Sequence, residues 1–322
     1  MVLLDVVTLL LIVVLGFLLM GALAPFEALG WWAGWYGHEL EPQALLPAQE
    51  DDALRQATAQ ALAYRQYVVF LSGIHSVSGV TYARREILLL EELRTQLPEA
   101  KVVEVFPYSV TNRALNGERF FAWLWRFAYR MKKRGLGFAG FVINLRNLWQ
   151  VAVSADSRYG PIYNQGTAEL VLRELIAQGY PLGSGIPIIF IGYSGGGQVA
   201  VGAAGVLADI VEAPLTVISL GGVVSSDPGL LHLKHFYHLY GDNDHVHRMG
   251  QLLCPDRWPI FQHSEWNQAK AKGVITWIPL GPPKHTGKRG YLDSSSFLPD
   301  GRSYFQQTLE HLLQLIRAQM PE

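Results

Sequence analysis

The residues best suited to chemistry lie in one stretch, which begins Ile186-Pro-Ile-Ile-Phe-Ile191 and continues Gly192-Tyr-Ser-Gly-Gly196. An apolar run that leads into Gly-x-Ser-x-Gly, with a small-residue helical pattern to about Val211, predicts a strand, a sharp turn and a helix. In such a turn the serine backbone is strained, and its neighbours must be small because strand and helix pass within contact distance. Ser194 is therefore predicted to be a nucleophile, with the first amides of the helix directed at whatever it attacks.

A serine hydroxyl needs a general base to take its proton and a third group to orient that base. Two later loops supply such groups, each directly after a predicted strand. Gly241-Asp-Asn-Asp-His-Val246 follows the strand that ends at Tyr240, and Gly281-Pro-Pro-Lys-His285 follows the strand that ends at Leu280. The two loops thus offer a carboxylate and an imidazole.

Several side chains compete for these two roles. Asp244, Asp242 in the same loop and Asp227 just past the preceding strand are the candidates for the carboxylate. His285 is the candidate for the base, and His263 is the alternative.

Histidines near these acids raise the question of a metal; they are His232, His235, His238, His245 and His247. Their type suits zinc, but no fixed spacing such as His-Glu-x-x-His is present. A strand would also place His235 and His238 on opposite faces. No Gly-x-x-x-x-Gly-Lys motif occurs either, so we predict no metal, no nucleotide and no other cofactor.

Composition limits the class of protein and partner. The 322 residues suffice for a substantial core, in one large domain or two small ones. With 50% hydrophobic and 16% charged residues and a mean hydropathy of +0.16, the chain is apolar for a soluble protein, so membrane contact is expected. The net charge of -1 gives no reason to expect a nucleic acid. Cys254 is the single cysteine, so no intramolecular disulfide can form.

The N-terminus predicts a single membrane anchor. Val2 to Ala24 is almost wholly aliphatic, longer than the ~20 residues that a helix needs to cross the hydrocarbon core. Pro25 ends this run, and an aromatic belt follows at Trp31, Trp32, Trp35 and Tyr36. The alternatives are a cleaved signal peptide, which would lack a basic n-region, and a buried core helix. The positive-inside rule assigns no orientation, because no Lys or Arg lies on either flank before Arg55.

The pattern divides the chain into an anchor with an interfacial segment at 1–36, an acidic, Pro-containing linker at 37–59 and a catalytic domain at 60–322. Strands are predicted at Tyr67–Leu71, Lys101–Phe106, around Ile188, Leu215–Leu220, Phe236–Tyr240 and Val274–Leu280, and helices at Ala83–Leu97, Gly160–Gln178 and Arg302–Gln319. This alternation predicts an α/β fold, a mostly parallel sheet with helices on both faces.

An insert at about 110–158 interrupts the alternation. Within it, residues 118–134 form a predicted basic, aromatic helix, with Phe120, Leu124, Phe127 and Met131 on one face and Arg126, Arg130, Lys133 and Arg134 beside it. Such a helix is typical of a membrane interface or of a lid over an apolar site. The alternative is an ordinary excursion packed on the body.

Over roughly residues 60–320 the chain resembles serine hydrolases of the α/β-hydrolase superfamily. Gly192–Gly196 matches the strand-to-helix turn of the nucleophile, and Gly241–Val246 matches a Gly-x-x-Asp-x-x loop, which puts the acid on Asp244 rather than Asp242. His285 stands between the last strand and the last helix. The resemblance implies that Ser194 is the nucleophile, His285 the base and then the acid, and Asp244 the orienting carboxylate.

The resemblance also implies an oxyanion hole of two backbone donors. One is the N–H of Gly195, and the other comes from the loop after the first strand, at Ile74 or His75. Here the chain departs from the pattern, because Ser72-Gly-Ile-His75 stands where many relatives have His-Gly.

The function implied is a membrane-anchored hydrolase of acyl (carboxylic) esters. We expect lipidic esters, because an anchor and an aromatic insert accompany the serine. The membrane is the expected partner, through the N-terminal helix and the 118–134 helix. A thioesterase, an acyltransferase, a peptidase and a non-catalytic membrane-associated module of the same fold are the alternatives.

Overall fold

Six parallel strands form the centre of the computed structural model, which describes residues 2–34, 64–76, 83–109 and 137–321. The strands are β1 Gln66–Leu71, β2 Ala100–Val105, β3 Ile188–Tyr193, β4 Leu215–Leu220, β5 His235–Tyr240 and β6 Ile275–Pro279. They lie in the order β2-β1-β3-β4-β5-β6, and every neighbouring pair is parallel. The predicted α/β class with a parallel sheet is confirmed.

Helices cover both faces of this sheet, as predicted. In the described residues they are α1 Val2–Leu23, α2 Phe26–Trp32, α3 Arg84–Gln96, α4 Gly137–Ala155, α5 Gly160–Ala177, α6 Gly196–Val211, α7 His245–Leu253, α8 Glu265–Ala271 and α9 Tyr304–Arg317. Strands β1, β3 and β4 are buried along their whole length. Their alternate side chains therefore pack in two separate hydrophobic cores. Helices α5, α6 and α8 close one core, and α3 and α9 close the other.

The strand order changes direction between β1 and β3. The chain moves outward from β1 to β2, returns to place β3 on the other side of β1, and then continues outward to β6. Leu71, the last residue of β1, lies in register with Gly192 near the end of β3. The loop after β1 and the turn after β3 therefore emerge side by side, at the position where open α/β sheets form a crevice.

One helical stretch of the described residues, Val14–Trp32, is long and apolar enough to cross a membrane. It spans 19 residues and joins the end of α1 to α2. By length and composition a signal sequence or a core helix meets the same test. Three predictions lie wholly or partly outside the described residues. They are the part of the aromatic belt at Trp35 and Tyr36, the linker at 37–59 and the basic helix at 118–134.

The end of this apolar stretch packs against the body of the protein. The ring of Phe17 lies 4.8 Å from that of Trp149 on α4, and Ala24 and Ala28 are buried in the core. An ion pair joins Glu27 to Arg146 of α4 at 2.5 Å. Helix α4 occupies the second half of the insert, and neither this helix nor its contact with the N-terminal helices was predicted from the sequence.

Candidate active site

Ser194 occupies a strained turn between β3 and α6. Its φ of 53° lies in the left-handed region, which residues other than glycine rarely adopt. Two hydrogen bonds hold it there: its N–H donates to Leu220 O at 3.0 Å, and its carbonyl accepts from Gly197 N at 3.0 Å. The turn predicted from the sequence is present, and it projects the serine from the carboxyl end of the sheet.

Close backbone approach explains the glycines around this serine. A Cβ on Gly192 would lie 2.5 Å from Gly197 Cα and 2.6 Å from Gly196 O. Such distances leave no room for a side chain, so strand and helix can come this close only with glycine at 192.

The structure brings the three predicted site residues together from three separate loops. His285 Nε2 lies 2.8 Å from Ser194 Oγ, and His285 Nδ1 lies 2.9 Å from Asp244 Oδ2. Asp244 follows β5 and its side chain is fully buried, whereas His285 follows β6 and is partly exposed. A hydroxyl, an imidazole and a carboxylate thus form one hydrogen-bonded line.

The alternative residues lie elsewhere. Asp242 is exposed, and His263 is exposed in the segment before α8. Asp227 is buried, but its two oxygens accept from Gly229 N at 2.8 Å and from Gln198 Nε2 at 2.9 Å. Asp227 therefore stabilises the turn after β4 and makes no contact with the imidazole.

Asp244 is held in place by donors on both oxygens. Its Oδ1 accepts from the N–H groups of Val246 at 2.7 Å and His247 at 3.3 Å, which caps α7. Its Oδ2 accepts from Tyr291 at 2.6 Å as well as from His285. Burial raises the pKa of Asp244, but the hydrogen bonds from His285, Tyr291 and Val246 outweigh burial and lower it overall. The carboxylate thus stays ionised beside the imidazole.

Two tyrosines that were not predicted as site residues form hydrogen bonds with Asp244 and His285. Tyr291 donates to Asp244 and accepts from Gly241 N at 2.9 Å, and burial together with the Asp244 charge raises its pKa well above 10. Tyr193 donates to the backbone oxygen of His285 at 2.9 Å, and burial raises its pKa to about 12. Both phenols therefore remain protonated donors. Tyr193 fills the variable position of the Gly-x-Ser-x-Gly motif. This position next to Ser194 was the one sequence feature that pointed to a supporting role for it.

The loop after β1 is fixed by the buried carboxylate of Glu86, from the first turn of α3. Oε1 accepts from Gly73 N at 3.1 Å, and Oε2 accepts from Ala83 N at 3.2 Å. Oε2 also lies 3.1 Å from His75 Nε2 and 3.4 Å from Ser76 Oγ. The imidazole of His75 is thus turned toward α3, and hydrogen bonds to Glu86 tie the loop to this helix.

A second helix, α4, also forms hydrogen bonds with the loop after β1. Asn147 of α4 donates from Nδ2 to Ile74 O at 2.7 Å and to Ser76 O at 2.8 Å. The hydroxyl of Tyr108 donates to Ser72 O at 2.7 Å. Neither Asn147 nor Glu86 was predicted from the sequence, and the partners of Asn147 lie 73 and 71 residues away along the chain.

Ile74 and Gly195, the two predicted oxyanion donors, are neighbours in space. A Cβ on Gly195 would lie 2.8 Å from Ile74 Cγ2 and 2.6 Å from Val151 Cγ2. Within the described residues, the N–H groups of Ile74 and Gly195 donate to no protein acceptor. The aliphatic side chains of Ile74 and Val151 therefore pack directly against Gly195, the residue that follows Ser194.

No group of three or more His, Cys, Asp or Glu side chains in the described part of the chain is arranged to hold a metal. His235 and His238 lie on opposite faces of β5, where His235 stacks with Tyr237 and His238 with Phe236. No protein-family model matches the chain, and no curated protein matches it either. The candidate site therefore rests on its own geometry.

Proposed function

We propose that this chain is a membrane-anchored serine hydrolase of the α/β-hydrolase superfamily, which cleaves acyl (carboxylic) esters through an acyl-enzyme on Ser194. The observation that carries the proposal is the line of hydrogen bonds from Ser194 Oγ through His285 to Asp244 Oδ2. The change of strand direction between β1 and β3, next to this serine, supports it, because ligands of open α/β sheets bind at such a point.

In the first half of the proposed reaction Ser194 Oγ attacks the ester carbonyl carbon. His285 Nε2 takes the hydroxyl proton, and Asp244 stabilises the imidazolium through Nδ1–H. The carbonyl oxygen becomes an oxyanion, which the amides of Gly195 and Ile74 would bind; donors of this kind are each worth about 3 kcal/mol of barrier. His285 then protonates the leaving alkoxide, the C–O bond breaks, and an ester of Ser194 remains.

The second half repeats these steps with water as the nucleophile. His285 takes a proton from water, the hydroxide attacks the acyl carbon, and the same two amides bind the second oxyanion. Collapse of this intermediate returns the proton to Ser194 Oγ and releases the carboxylic acid. Because water is the acyl acceptor, the reaction is hydrolysis rather than transfer.

Two features favour an ester with an apolar acyl group. Ile74 and Val151 form the wall next to Gly195, and both are aliphatic. Val14–Trp32 is long and apolar enough to cross a membrane, which would keep the site near lipid. A lipidic ester is therefore the proposed substrate. The three residues fix acyl chemistry but not the leaving group, so thioesters and amides are the comparison substrates.

Covalent labelling with a fluorophosphonate tests the nucleophile. The wild-type chain should be labelled, and Ser194→Ala should not, because the probe phosphorylates an activated serine hydroxyl. Ser184→Ala removes an exposed serine remote from the turn and should label like the wild type. Equal labelling of wild type and Ser194→Ala would refute the proposal.

Turnover across ester chain lengths tests the substrate class. Rates for long-chain esters should exceed those for acetyl esters, and they should rise when substrate forms micelles. A preference for matched thioesters or amides over oxygen esters would reassign the leaving group. No turnover on any acyl donor, with the fold intact, would favour a non-catalytic module.

A further inference from the structure

Six large apolar side chains are exposed within one short segment of the body: Met249, Leu252, Leu253, Trp258, Ile260 and Phe261. Leu252 and Ile260 are the most exposed, at 73% and 75%. The segment includes α7, which begins directly after Asp244, and so it lies at the edge of the sheet where the strands end. A concentrated apolar patch in water is unfavourable and marks a surface that contacts a membrane or another protein.

A cationic cavity opens beside this apolar patch. Its volume is 740 Å³, and its lining includes the cations Arg248, Arg257 and Lys270 and the indoles of Trp258, Trp266 and Trp277. No carboxylate of the described residues forms an ion pair with any of the three cations. Ser194, Asp244 and His285 are not among the lining residues, so this cavity is separate from the candidate active site.

Arg257 is the best-defined member of the cavity. It is only 8% exposed, and its guanidinium lies 3.7 Å from the centre of the Trp266 ring. It donates from Nη1 to Val224 O at 2.9 Å, but its buried Nε–H has no partner among the described residues. A buried guanidinium with a spare donor and no carboxylate in an ion pair with it favours an anion with several acceptor oxygens, as a phosphate has.

We propose that the cavity and the patch together form a docking surface for an anionic lipid bilayer. A lipid phosphate would enter the cavity against Arg248, Arg257 and Lys270, with the indoles at the depth of the head groups. The six exposed apolar side chains would lie at the boundary between head groups and acyl chains. This contact is additional to the N-terminal helix and does not depend on turnover at Ser194.

Two observations favour lipid over a soluble anion. A soluble phosphate would fill the cavity but leave the apolar patch in water, whereas a bilayer covers both. The apolar N-terminal stretch also approaches the same edge of the sheet: Arg146 of α4 pairs with Glu27 and donates to the carbonyl of Tyr108, which follows the end of β2. A membrane held by that stretch would thus face the edge that carries α7.

The depth of a nitroxide label tests the docking in the full chain, reconstituted in vesicles. In a Cys254→Ser background, Leu252→Cys carries the label in the patch, and Leu182→Cys carries it in the exposed loop before β3 as the control. The vesicles contain phosphatidylcholine, with or without about a third phosphatidylserine. With the anionic lipid, the label at 252 should gain contact with membrane-dissolved oxygen and lose contact with an aqueous nickel chelate. The label at 182 should stay aqueous.

Neutralising the two exposed cations tests the role of charge without disturbing buried Arg257. Arg248→Gln with Lys270→Gln should shift the equilibrium between docked and aqueous label by roughly five-fold per charge, or about 25-fold, toward water. Arg173→Gln with Lys234→Gln removes two exposed cations elsewhere and should leave the docking unchanged.

Three outcomes would overturn the proposal. The label at 252 could stay aqueous in both kinds of vesicle, or dock equally with and without phosphatidylserine. It could also become inaccessible to both oxygen and nickel with spin–spin broadening, which would assign the patch to a second copy of the chain.

Discussion

Asn147 Nδ2 donates to Ile74 O at 2.7 Å, and this bond ties helix α4 to the loop that follows β1. The N–H proposed to bind the oxyanion belongs to Ile74 itself. Since the same amide nitrogen also donates to Ser76 O, the loop is fixed at two points. The position of the proposed second donor is thus set by a helix that follows it by some seventy residues.

Replacing Asn147 with alanine should lower kcat for ester hydrolysis by about 10-fold, with a smaller change in KM. The two carbonyls lose their shared donor, the loop relaxes, and the Ile74 amide moves away from the transition-state oxygen. Steady-state kinetics measures the effect. Leu148→Ala, at an exposed position of the same helix, is the matched control and should keep wild-type kcat. An unchanged kcat in Asn147→Ala would assign the oxyanion role to another loop.

Asp244→Asn should reduce kcat by roughly 10³–10⁴-fold while the fold stays intact, since the amide no longer favours the imidazole tautomer that accepts the serine proton. Asparagine remains a good cap for α7, so the melting temperature should change little. Hydrolysis rates and thermal unfolding are the two measurements. Asp227→Asn changes another buried aspartate and should keep most activity. A comparable loss in both variants would contradict a specific role for Asp244.

Tyr291→Phe should lower the free energy of unfolding by about 1–3 kcal/mol, because the buried N–H of Gly241 loses its acceptor. The pKa of Asp244 should rise, since one of its donors is removed, and kcat should fall several-fold. Urea unfolding and ester kinetics measure the two effects. Tyr159→Phe, at a half-buried position just before α5, should leave both near wild type. If Tyr291→Phe unfolded with the same free energy as the wild type, the hydroxyl of Tyr291 would not contribute to stability.

Acid should destabilise the fold through His238. Burial, with help from the positive charge of Arg257, lowers the pKa of His238 from 6.5 to about 3. In the unfolded chain the imidazole of His238 therefore binds a proton near pH 6.5, whereas in the folded chain it binds one only near pH 3. The free energy of unfolding should fall as the pH drops through this window, by up to about 1.4 kcal/mol per pH unit.

Urea unfolding between pH 7 and pH 5 checks this dependence. His238→Gln should flatten the pH slope, because the titrating imidazole is removed. His263→Gln changes an exposed histidine and should retain the wild-type slope. Parallel slopes in wild type and His238→Gln would mean that another group carries the acid sensitivity.

Local patterns predicted most of the backbone. The β-branched run at Leu215–Leu220 is a strand with the predicted bounds, and α3, α5, α6 and α9 lie within a few residues of their predicted positions. Each of these segments has a single dominant period, which reflects one buried face or full burial. Helix α4 was missed because Gly137–Ala155 is apolar on several faces and was interpreted as part of an irregular insert. Short α7 and α8 fall between strands where turn signals dominate.

The grouping of residues at the candidate site could be predicted in part, for a different reason. Ser194, Asp244 and His285 each follow a strand, so parallel topology alone brings them to one edge. The residues that support them meet through side-chain contacts between distant segments: Tyr291 reaches Asp244, and Asn147 reaches Ile74. No local spacing encodes such contacts, and they became visible only in three dimensions.

The ion pair between Glu27 and Arg146 bears on how the protein can be handled as fragments. Removing an apolar N-terminal stretch is a common route to a soluble enzyme. Here a fragment that starts at Arg65 would expose the core surface now covered by Ala24 and Ala28 and remove the carboxylate from a largely buried guanidinium. Arg146 is the immediate neighbour of Asn147. Such a fragment would alter the support of the Ile74 loop, so the proposed activity should be measured on the full chain.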